Sequence, residues 1–461
     1  MTITKDGIPG YHDRLGYLFL DFNAYFAAVE QLDDPSLRGR PVIVTPLESE
    51  HTGAIAASYE ARPYGIKRGT PLKEARRLCP GIAVRAARHD RYVAVHHAAK
   101  AAVERVVPIS AAYSVDEMAC RLSPSEGVRH RAVDLAVAVR ASLDEALGPV
   151  MRASFGLAQT RLLAKLAAER HKPDGLTVIE PRDLPHALER MPLGDIPGIG
   201  PGMLRRLRAA GIADFPALWA MQPKRARKVW GSVQGERFWY ALHGWEAEET
   251  FGETGAPKRM LGHSRVLSRE HEAPDQARRV AHALLMKAAA RLRHHGLLTT
   301  RLHCYAELRG ALSGAEAYEG SAPLPPTDDS ALCRRALIAL WEEYVARLTM
   351  LADGRALRFG KVSVQLCGLV ARGDERLGQG QLFADAGRPE RARQARLWAA
   401  VDAINKDEDG RIARAGLSKA DEPGSVIGRH VAPASLAGLD LNYVGGKIAF
   451  SRVPYGAEFA A

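Results

Sequence analysis

The sequence predicts a multidomain α+β protein, and three observations support this fold class. The chain has 461 residues, which corresponds to roughly three domains of ordinary size. Hydrophobic residues make up 46% and charged residues 25%, a composition typical of folded globular proteins. Short apolar, strand-like runs alternate with helix-like patterns up to about residue 180. The alternation alone allows either an α/β or an α+β arrangement of these elements.

The N-terminal 180 residues begin with strand-like and helix-like segments in turn. YLFLDF at 17–22 is an apolar run that ends in an acid, and apolar residues then recur at helical spacing over 25–29. PVIVTP at 41–46 and GAIAAS at 53–58 are β-like runs bounded by Pro, Gly and polar residues. These segments predict a sheet with helices packed against it.

The rest of the chain divides by composition. Basic, helical sequence extends to about residue 245, and EAEETFGETGAPK at 246–258 is typical of a linker because it offers little to bury. A second mixed region follows over 259–370, in which 312–330 reads as a loop. Its helix is predicted to bury one face, formed by Ala281, Leu284, Leu285, Ala288 and Leu292. Beyond residue 371 the sequence is Gly-rich and charged, and we expect partial disorder.

Net charge points to a polyanionic partner. The chain carries +11 with a pI of about 9.5, and residues 201–310 supply +9 of that excess. The polyanion should therefore contact the later domains, although a solvated basic surface would show the same charge.

Cysteine usage and hydropathy exclude several classes of protein. The five cysteines are scattered and form no CxxC pair, which argues against a zinc ribbon or a disulfide framework. The N-terminus has no apolar signal core, and no run approaches the roughly 18 apolar residues of a membrane span. We expect a soluble, cytoplasmic protein without contact to a membrane.

Three acids occupy positions where a metal site is plausible. Asp21 ends an apolar strand, and the adjacent Asp116 and Glu117 lie in a second short strand. Burying neighbouring carboxylates is costly unless a cation compensates them. Two Mg²⁺ ions would do so and would serve phosphoryl chemistry. An Asp-Glu pair by itself is more often an ordinary surface feature.

Four ordered segments together resemble the Y-family of translesion DNA polymerases. They are YLFLDFNAYFAAVEQ at 17–31, ASYEARPYGIKRGTPLKEARRLCPG at 57–81, YSVDEMA at 113–119 and GLAQTRLLAKLAAERHKPDG at 156–175. The resemblance is clear at motif level over about 16–245 and extends to about 370 by architecture and length.

The resemblance implies a right-hand polymerase fold with defined domains. The expected domains are a palm over 1–180 with fingers inserted at about 35–90, a helix-hairpin-helix thumb over 181–245, a linker over 246–258, a little finger over 259–370 and a C-terminal tail over 371–461.

The resemblance also implies residue roles. The acids Asp21, Asp116 and Glu117 match the catalytic metal ligands for two Mg²⁺ ions, with the Phe22 carbonyl as a further ligand. Phe26 matches the aromatic gate that rejects the ribose 2′-OH. The dNTP triphosphate would be bound by Tyr59, Arg62 and Lys172. Taken singly, these residues would instead be read as a core aromatic and surface ion-pair partners. Many family members carry an acid where this chain has Asn23.

Two further motifs indicate partners. IPGIGPG at 196–202 is a helix-hairpin-helix signature, in which Gly198 and Gly200 would let backbone N–H groups approach a DNA phosphate; a plain Pro-Gly turn is the alternative. QGQLF at 379–383 has the form of bacterial sliding-clamp-binding peptides, with contacts expected from Gln379, Leu382 and Phe383. Local apolar packing is the alternative there.

The function implied is template-directed, error-prone translesion DNA synthesis in DNA damage tolerance. The substrates would be primer-template DNA and a dNTP, which is added to the primer 3′-OH by two-metal phosphoryl transfer. A sliding clamp is the expected partner, and the need for an accessory subunit stays open. The alternatives are a weakly active or inactive polymerase-like accessory subunit that binds DNA, and a helix-hairpin-helix nuclease.

Overall fold

The structure is a computed structural model that forms two compact units. The first unit contains the described residues up to 246, and the second contains those from 260 onward. The residues described are 13–46, 52–246, 260–309, 317–352, 354–372, 393 and 396–400.

The first unit alternates strands and helices, as the sequence predicts. Its strands are β1 (Tyr17–Phe22), β2 (Val42–Thr45), β3 (Ala56–Ala57), β4 (Ala83–Ala86), β5 (Ala111–Ala112), β6 (Glu117–Arg121), β7 (Ala153–Ala158) and β8 (Leu176–Val178). Its helices are α1 (Tyr25–Asp33), α2 (Leu72–Leu78), α3 (His89–Glu104), α4 (Arg129–Leu147), α5 (Arg161–Arg170), α6 (Pro201–Ala209), α7 (Phe215–Trp219), α8 (Pro223–Trp230) and α9 (Val233–Leu242). The predicted strand-like runs at 17–22, 41–46 and 53–58 and the predicted helix after β1 are confirmed.

Two sheets organise this unit. The larger has the strand order β5-β6-β1-β7-β8, so β1 is central and pairs antiparallel with both β6 and β7. The smaller, of order β3-β2-β4, packs against α2 through its own apolar cluster. A further apolar core runs from Phe19 on β1 through α5 to Leu207, Leu218 and Trp239 in the later helices. The helices that follow residue 200 are therefore built onto the main sheet by way of α5.

Gly156 on β7 lets α5 pack against the sheet at close range. A Cβ at this position would lie 1.9 Å from the Ala164 carbonyl oxygen and 2.4 Å from the Ala168 nitrogen, both main-chain atoms of α5. Only glycine avoids that clash. The close contact fixes α5 beside β1 and β7, and so fixes the side chains that α5 directs toward the end of the sheet.

The second unit is an antiparallel sheet with two long helices. Its elements are β9 (Met260–Val266), α10 (Pro274–His294), β10 (Leu297–Leu308), β11 (Ala317–Thr327), α11 (Ser330–Leu351), β12 (Phe359–Cys367) and β13 (Val370–Ala371). The main strand order is β11-β10-β12-β9. The predicted apolar face of α10 is confirmed, because all five of its residues are fully buried in the core of this unit.

The loop predicted over 312–330 is wrong for its central part. Residues 317–327 form β11, which pairs antiparallel with β10 in spite of Pro323, Pro325 and Pro326. Strand β11 lies at the edge of the sheet, where a proline can stand without breaking an interior ladder because it has no N–H to donate. The composition of this segment favoured a loop, because composition does not indicate whether a strand lies at the edge of a sheet.

Trp398, in the C-terminal part of the chain, makes buried contacts that the sequence did not predict. Trp398 is buried to 1% exposure, its indole N–H donates to Asp329 Oδ1 at 3.1 Å, and the Arg293 guanidinium lies over its ring. The predicted clamp-binding residues Gln379, Leu382 and Phe383 lie outside the described residues.

Two structural findings concern the cysteines and the length and polarity of the helices. All five cysteines fall within the described ranges and are free thiols. Among the helices that the structure describes, none combines the length and apolar character needed to cross a bilayer.

Candidate active site

Pairing of β1 with β6 brings the three predicted acids together. Asp21 stands directly opposite Glu117 in the antiparallel register, and the Phe22 N–H donates to the Asp116 carbonyl at 2.9 Å. Asp21 is buried, with 5% of its surface exposed. Residues that are far apart in the chain therefore meet at one end of the central strand pair.

A cavity of about 760 Å³ opens in front of these acids. The predicted site residues that line it are Asp21, Phe22, Phe26, Arg62, Asp116, Glu117 and Lys172. Tyr59 lies beside it, since the Arg62 guanidinium sits 3.7 Å from the centre of the Tyr59 ring. Lys67, Arg68 and Glu169 also line the cavity. The site is thus an acidic end of a sheet facing several basic side chains.

Each acid already has a partner in the protein. The Lys172 ammonium lies 2.7 Å from Asp21 Oδ1, and the Lys165 ammonium lies 2.6 Å from Glu117 Oε1. The Ser114 hydroxyl donates to Asp116. With these partners in place, no group of three or more His, Cys, Asp or Glu side chains in the described part of the chain is arranged to hold a metal ion.

The electrostatics of Asp21 fit a site for added positive charge. Burial raises the pKa of Asp21 well above its ordinary value, and the attraction of Lys172 only partly opposes that rise. Burial also disfavours the charged form of Lys172, but Asp21 and Glu169 outweigh it and raise the pKa of the lysine. Lys172 contacts Asp21 and Lys165 contacts Glu117, so a cation would bind these carboxylates in place of the two ammonium groups. Carboxylate oxygens are ligands that divalent cations prefer.

Tyr59 carries an unsatisfied polar atom that fits a phosphate ligand. Its phenol oxygen is buried and has no hydrogen-bond partner among the described residues. A buried hydroxyl without a partner is uncommon in folded proteins unless a ligand or water completes it. Arg62 lines the cavity and offers a cationic fork to an anion there, and the buried Tyr59 hydroxyl lies beside the cavity.

Phe26 is held from behind by an aromatic and charged network. Its ring stacks on Tyr92 with a centroid separation of 4.5 Å and an interplanar angle of 23°. The Tyr92 hydroxyl donates to Glu30 at 2.8 Å, and Arg88 donates three hydrogen bonds to the same buried carboxylate. Phe26 is therefore a wall residue of the cavity whose rotation is restricted by its neighbours.

The helix-hairpin-helix signature forms a turn that leads into α6. Gly198 has a φ of 90°, which favours glycine, and Gly200 is the N-cap of α6 with an ordinary φ of −78°. Ile196 and Ile199 are buried and anchor the turn. Gly198 also lines a second cavity, of about 390 Å³, whose wall includes Glu117 and Lys165. The turn therefore reaches the neighbourhood of the acids.

Sequence reasoning missed five polar side chains that contact the acids or line the cavity: Lys67, Arg68, Ser114, Lys165 and Glu169. A signal existed for two of them, because Lys165 and Glu169 are polar residues one helical turn apart in the otherwise mostly apolar helix α5.

Comparisons with known proteins point in the same direction as this geometry. A sequence profile of the impB/mucB/samB family matches residues 20–169, and the profile of that family's C-terminal domain matches residues 258–382. The chain is similar to the DNA polymerase IV of Moorella thermoacetica, at 31% identity over 87% of this chain and 95% of the relative. It is also similar to the DNA polymerase IV of Halorhodospira halophila, at 32% identity over 61% and 78%.

The fold is similar to that of a solved Y-family DNA polymerase chimera. The TM-score is 0.62, and the match covers 77% of this chain and 99% of the chimera at 21% sequence identity.

Proposed function

As a member of the impB/mucB/samB family and a Y-family DNA polymerase, this chain is a translesion DNA polymerase, and we propose that Asp21, Asp116 and Glu117 carry its chemistry. Its fold is that of a right-hand polymerase, and its substrates are DNA and dNTPs. The enzyme uses a divalent metal, and we propose two Mg²⁺ ions. We also propose the domain bounds predicted above, with the palm, fingers and thumb in the first unit and the little finger in the second.

In the proposed reaction, the primer 3′-oxygen attacks the α-phosphorus of a dNTP and pyrophosphate leaves. Asp21, Asp116 and Glu117, with the Phe22 carbonyl, would hold the Mg²⁺ ions, which when bound lower the pKa of the primer hydroxyl and neutralise charge on the phosphates. Tyr59, Arg62 and Lys172 bind and orient the triphosphate. The Phe26 ring stands beneath the sugar and excludes a 2′-OH. The protein's contribution is mainly alignment and fixed charge.

One observation carries this proposal. Asp21 and Glu117 face each other across β1 and β6, next to Asp116 and in a cavity that also holds Arg62 and Lys172. A solvated surface pair would have neither the burial of Asp21 nor basic side chains gathered around it. Carboxylates for metal and cations for a triphosphate are both needed for nucleotidyl transfer, and here they share one space.

Primer extension by the purified full chain tests the proposal and separates it from the alternatives. We expect elongation of a primed template with Mg²⁺ and dNTPs, loss of elongation with EDTA, and recovery when Mg²⁺ is restored. Binding to DNA without elongation would favour an inactive accessory subunit, and strand cutting would favour a nuclease. Elongation by this chain alone would also show that no accessory subunit is required for synthesis.

We propose that the turn at 196–202 binds the DNA backbone. The substitution Gly200→Ala tests whether a DNA phosphate approaches the main chain at Gly200. A Cβ at Gly200 meets no atom within 4 Å, so alanine fits the free protein and its melting temperature should not change. If a phosphate approaches the N–H groups here, the added methyl group displaces it. We expect primer-template affinity to fall about tenfold, the equivalent of one charge-assisted hydrogen bond.

The matched control for Gly200→Ala is Gly81→Ala. Gly81 has equal space for a Cβ and lies in the segment before β4, far from the turn in sequence. Its substitution should leave DNA affinity unchanged in a fluorescence-anisotropy titration. Equal affinities for the two variants would mean that the phosphate does not come close to Gly200.

We further propose that Gln379, Leu382 and Phe383 bind a sliding clamp. The support is the Gln-x-x-Leu-Phe form of the segment, in which an amide and two apolar side chains are spaced to fill a pocket and bond at its edge.

A further inference from the structure

Asn23 links two parts of the candidate active site: the end of β1, which bears Asp21, and the loop at 171–175, which bears Lys172. It follows β1 directly, two residues beyond Asp21, and only 5% of its surface is exposed. Its Nδ2 donates to Ser154 Oγ on β7 at 3.0 Å, and its Oδ1 accepts the Asp174 main-chain N–H at 2.8 Å. Its own N–H donates to the Arg152 carbonyl at 2.8 Å. The side-chain Nδ2, the side-chain Oδ1 and the main-chain N–H of Asn23 therefore each have a hydrogen-bond partner.

The contact with Asp174 matters because the loop that contains Asp174 also contains Lys172. Residues 171–175 connect α5 to β8, and Lys172 in this loop reaches Asp21 at 2.7 Å. Asp174 has a φ of 61°, a left-handed conformation that residues other than glycine rarely adopt, although Asp tolerates it better than most. Arg140 also donates to the Asp174 carbonyl, at 3.0 Å. Hydrogen bonds to both the N–H and the carbonyl of Asp174 therefore hold the loop in this conformation.

We propose that Asn23 is a positioning residue that sets the place of Lys172 relative to Asp21. The amide bonds the end of the strand that bears the metal-binding acid to the loop that bears the triphosphate-binding ammonium. The oxygen of the amide supplies this link, because it accepts the hydrogen bond from the Asp174 N–H. The inference rests on the proposed function, in which Lys172 contacts the dNTP triphosphate.

Amide hydrogen exchange of the full-length protein, without DNA or nucleotide, tests whether Asn23 holds the loop through the Asp174 N–H. In the wild type, the Asp174 amide should exchange slowly because it is bonded to Asn23. Asn23→Ala should speed its exchange by about tenfold or more in hydrogen–deuterium exchange of the 171–178 segment. Asn23→Asp keeps an acceptor for that N–H, and the Ser154 hydroxyl can turn to donate, so protection should persist. Unchanged exchange in Asn23→Ala would overturn the proposal.

Single-nucleotide insertion kinetics test whether Asn23 positions Lys172 for binding of the dNTP triphosphate. Asn23→Ala should raise the KM for dNTP about tenfold with a smaller change in kcat, since the triphosphate contact is misplaced. Asn23→Asp should stay within about threefold of the wild type. In a Lys172→Ala background, Asn23→Ala should have little further effect, because both changes act through one contact. Fold-changes that multiply in the double variant would contradict the proposal.

Two controls keep the outcomes separate. Ser142→Ala removes another buried hydroxyl, which donates to the Ala102 carbonyl and accepts from Arg105, and it should change neither the KM for dNTP nor the exchange of Asp174. If Lys172→Ala itself leaves the KM for dNTP unchanged, the proposed triphosphate role of Lys172 fails, whereas the exchange result still reports on Asn23. Should Asn23→Ala not fold, Asn23→Ser, whose shorter side chain loses the Asp174 bond, replaces it in both experiments.

Discussion

Replacing Asp116 by alanine should reduce primer extension by on the order of 10³-fold or more, because it removes one of three carboxylates that converge at the end of β1 and β6. The fold should survive the change. The bond that ties Asp116 to β1 runs from the Phe22 N–H to the Asp116 carbonyl, and both are main-chain groups that alanine keeps. The Asp116 side chain accepts a hydrogen bond from the neighbouring Ser114 hydroxyl, which does not connect it to another element of the fold.

Single-turnover insertion of a correct dNTP, with the melting temperature and DNA affinity measured in parallel, checks this result. The matched control is Asp144→Ala, which removes an exposed carboxylate from α4, away from the cavity. We expect the control to match the wild type in all three measurements. An Asp116→Ala enzyme that retains activity within about tenfold would mean that the chemistry lies elsewhere, since metal-binding carboxylates are not dispensable in phosphoryl transfer.

Shortening Phe26 to leucine should relax the choice between deoxyribose and ribose. The ring lines the cavity and its rotation is restricted by stacking on Tyr92. In the proposed role, the edge of this ring meets the sugar of a bound nucleotide. Leucine leaves space for a 2′-OH, and steric exclusion of a hydroxyl by a fixed wall commonly accounts for selectivities of about 10²-fold. We therefore expect the ratio of kcat/KM for rNTP to that for dNTP to rise by about 10²-fold.

The ratio is informative because a general loss of stability does not change it. Phe26→Leu removes buried aromatic volume and should lower the free energy of unfolding by about 1–2 kcal/mol. Phe215→Leu is the matched control, as Phe215 is also buried and packs against another aromatic ring, Trp219, in the later helices of the same unit. The control should lose similar stability and keep the wild-type ratio. An unchanged ratio in Phe26→Leu would show that Phe26 is only a core residue.

Local pattern was sufficient to predict several elements of the fold. The apolar run ending at Phe22, the helix that follows it and the buried face of α10 follow directly from residue spacing. Strand β11 could not be predicted in this way because its prolines are tolerated only at a sheet edge, and edge position depends on partners distant in sequence. The buried contact of Trp398 with Asp329 was missed for the same reason.

The site divides along a similar line. The family resemblance proposed roles for Asp21, Asp116, Glu117, Phe26, Tyr59, Arg62 and Lys172, and the structure places these residues in or beside one cavity. The supporting contacts required the register of β1 with β6 and the close packing of α5 on Gly156, which bring Lys165 to Glu117. The same is true of Asn23, whose neutral side chain marked a departure in sequence but whose bond to Asp174 is a tertiary contact.

The most direct measurement of the central claim is the anomalous scattering of Mn²⁺ in crystals of the protein with primer-template DNA and a non-hydrolysable dNTP. We predict Mn²⁺ peaks bound by the Asp21, Asp116 and Glu117 carboxylates, in contact with the triphosphate, with Lys165 and Lys172 displaced from their present partners. A triphosphate bound in the cavity with no Mn²⁺ on these three acids, or with the metal held by other residues, would contradict the account.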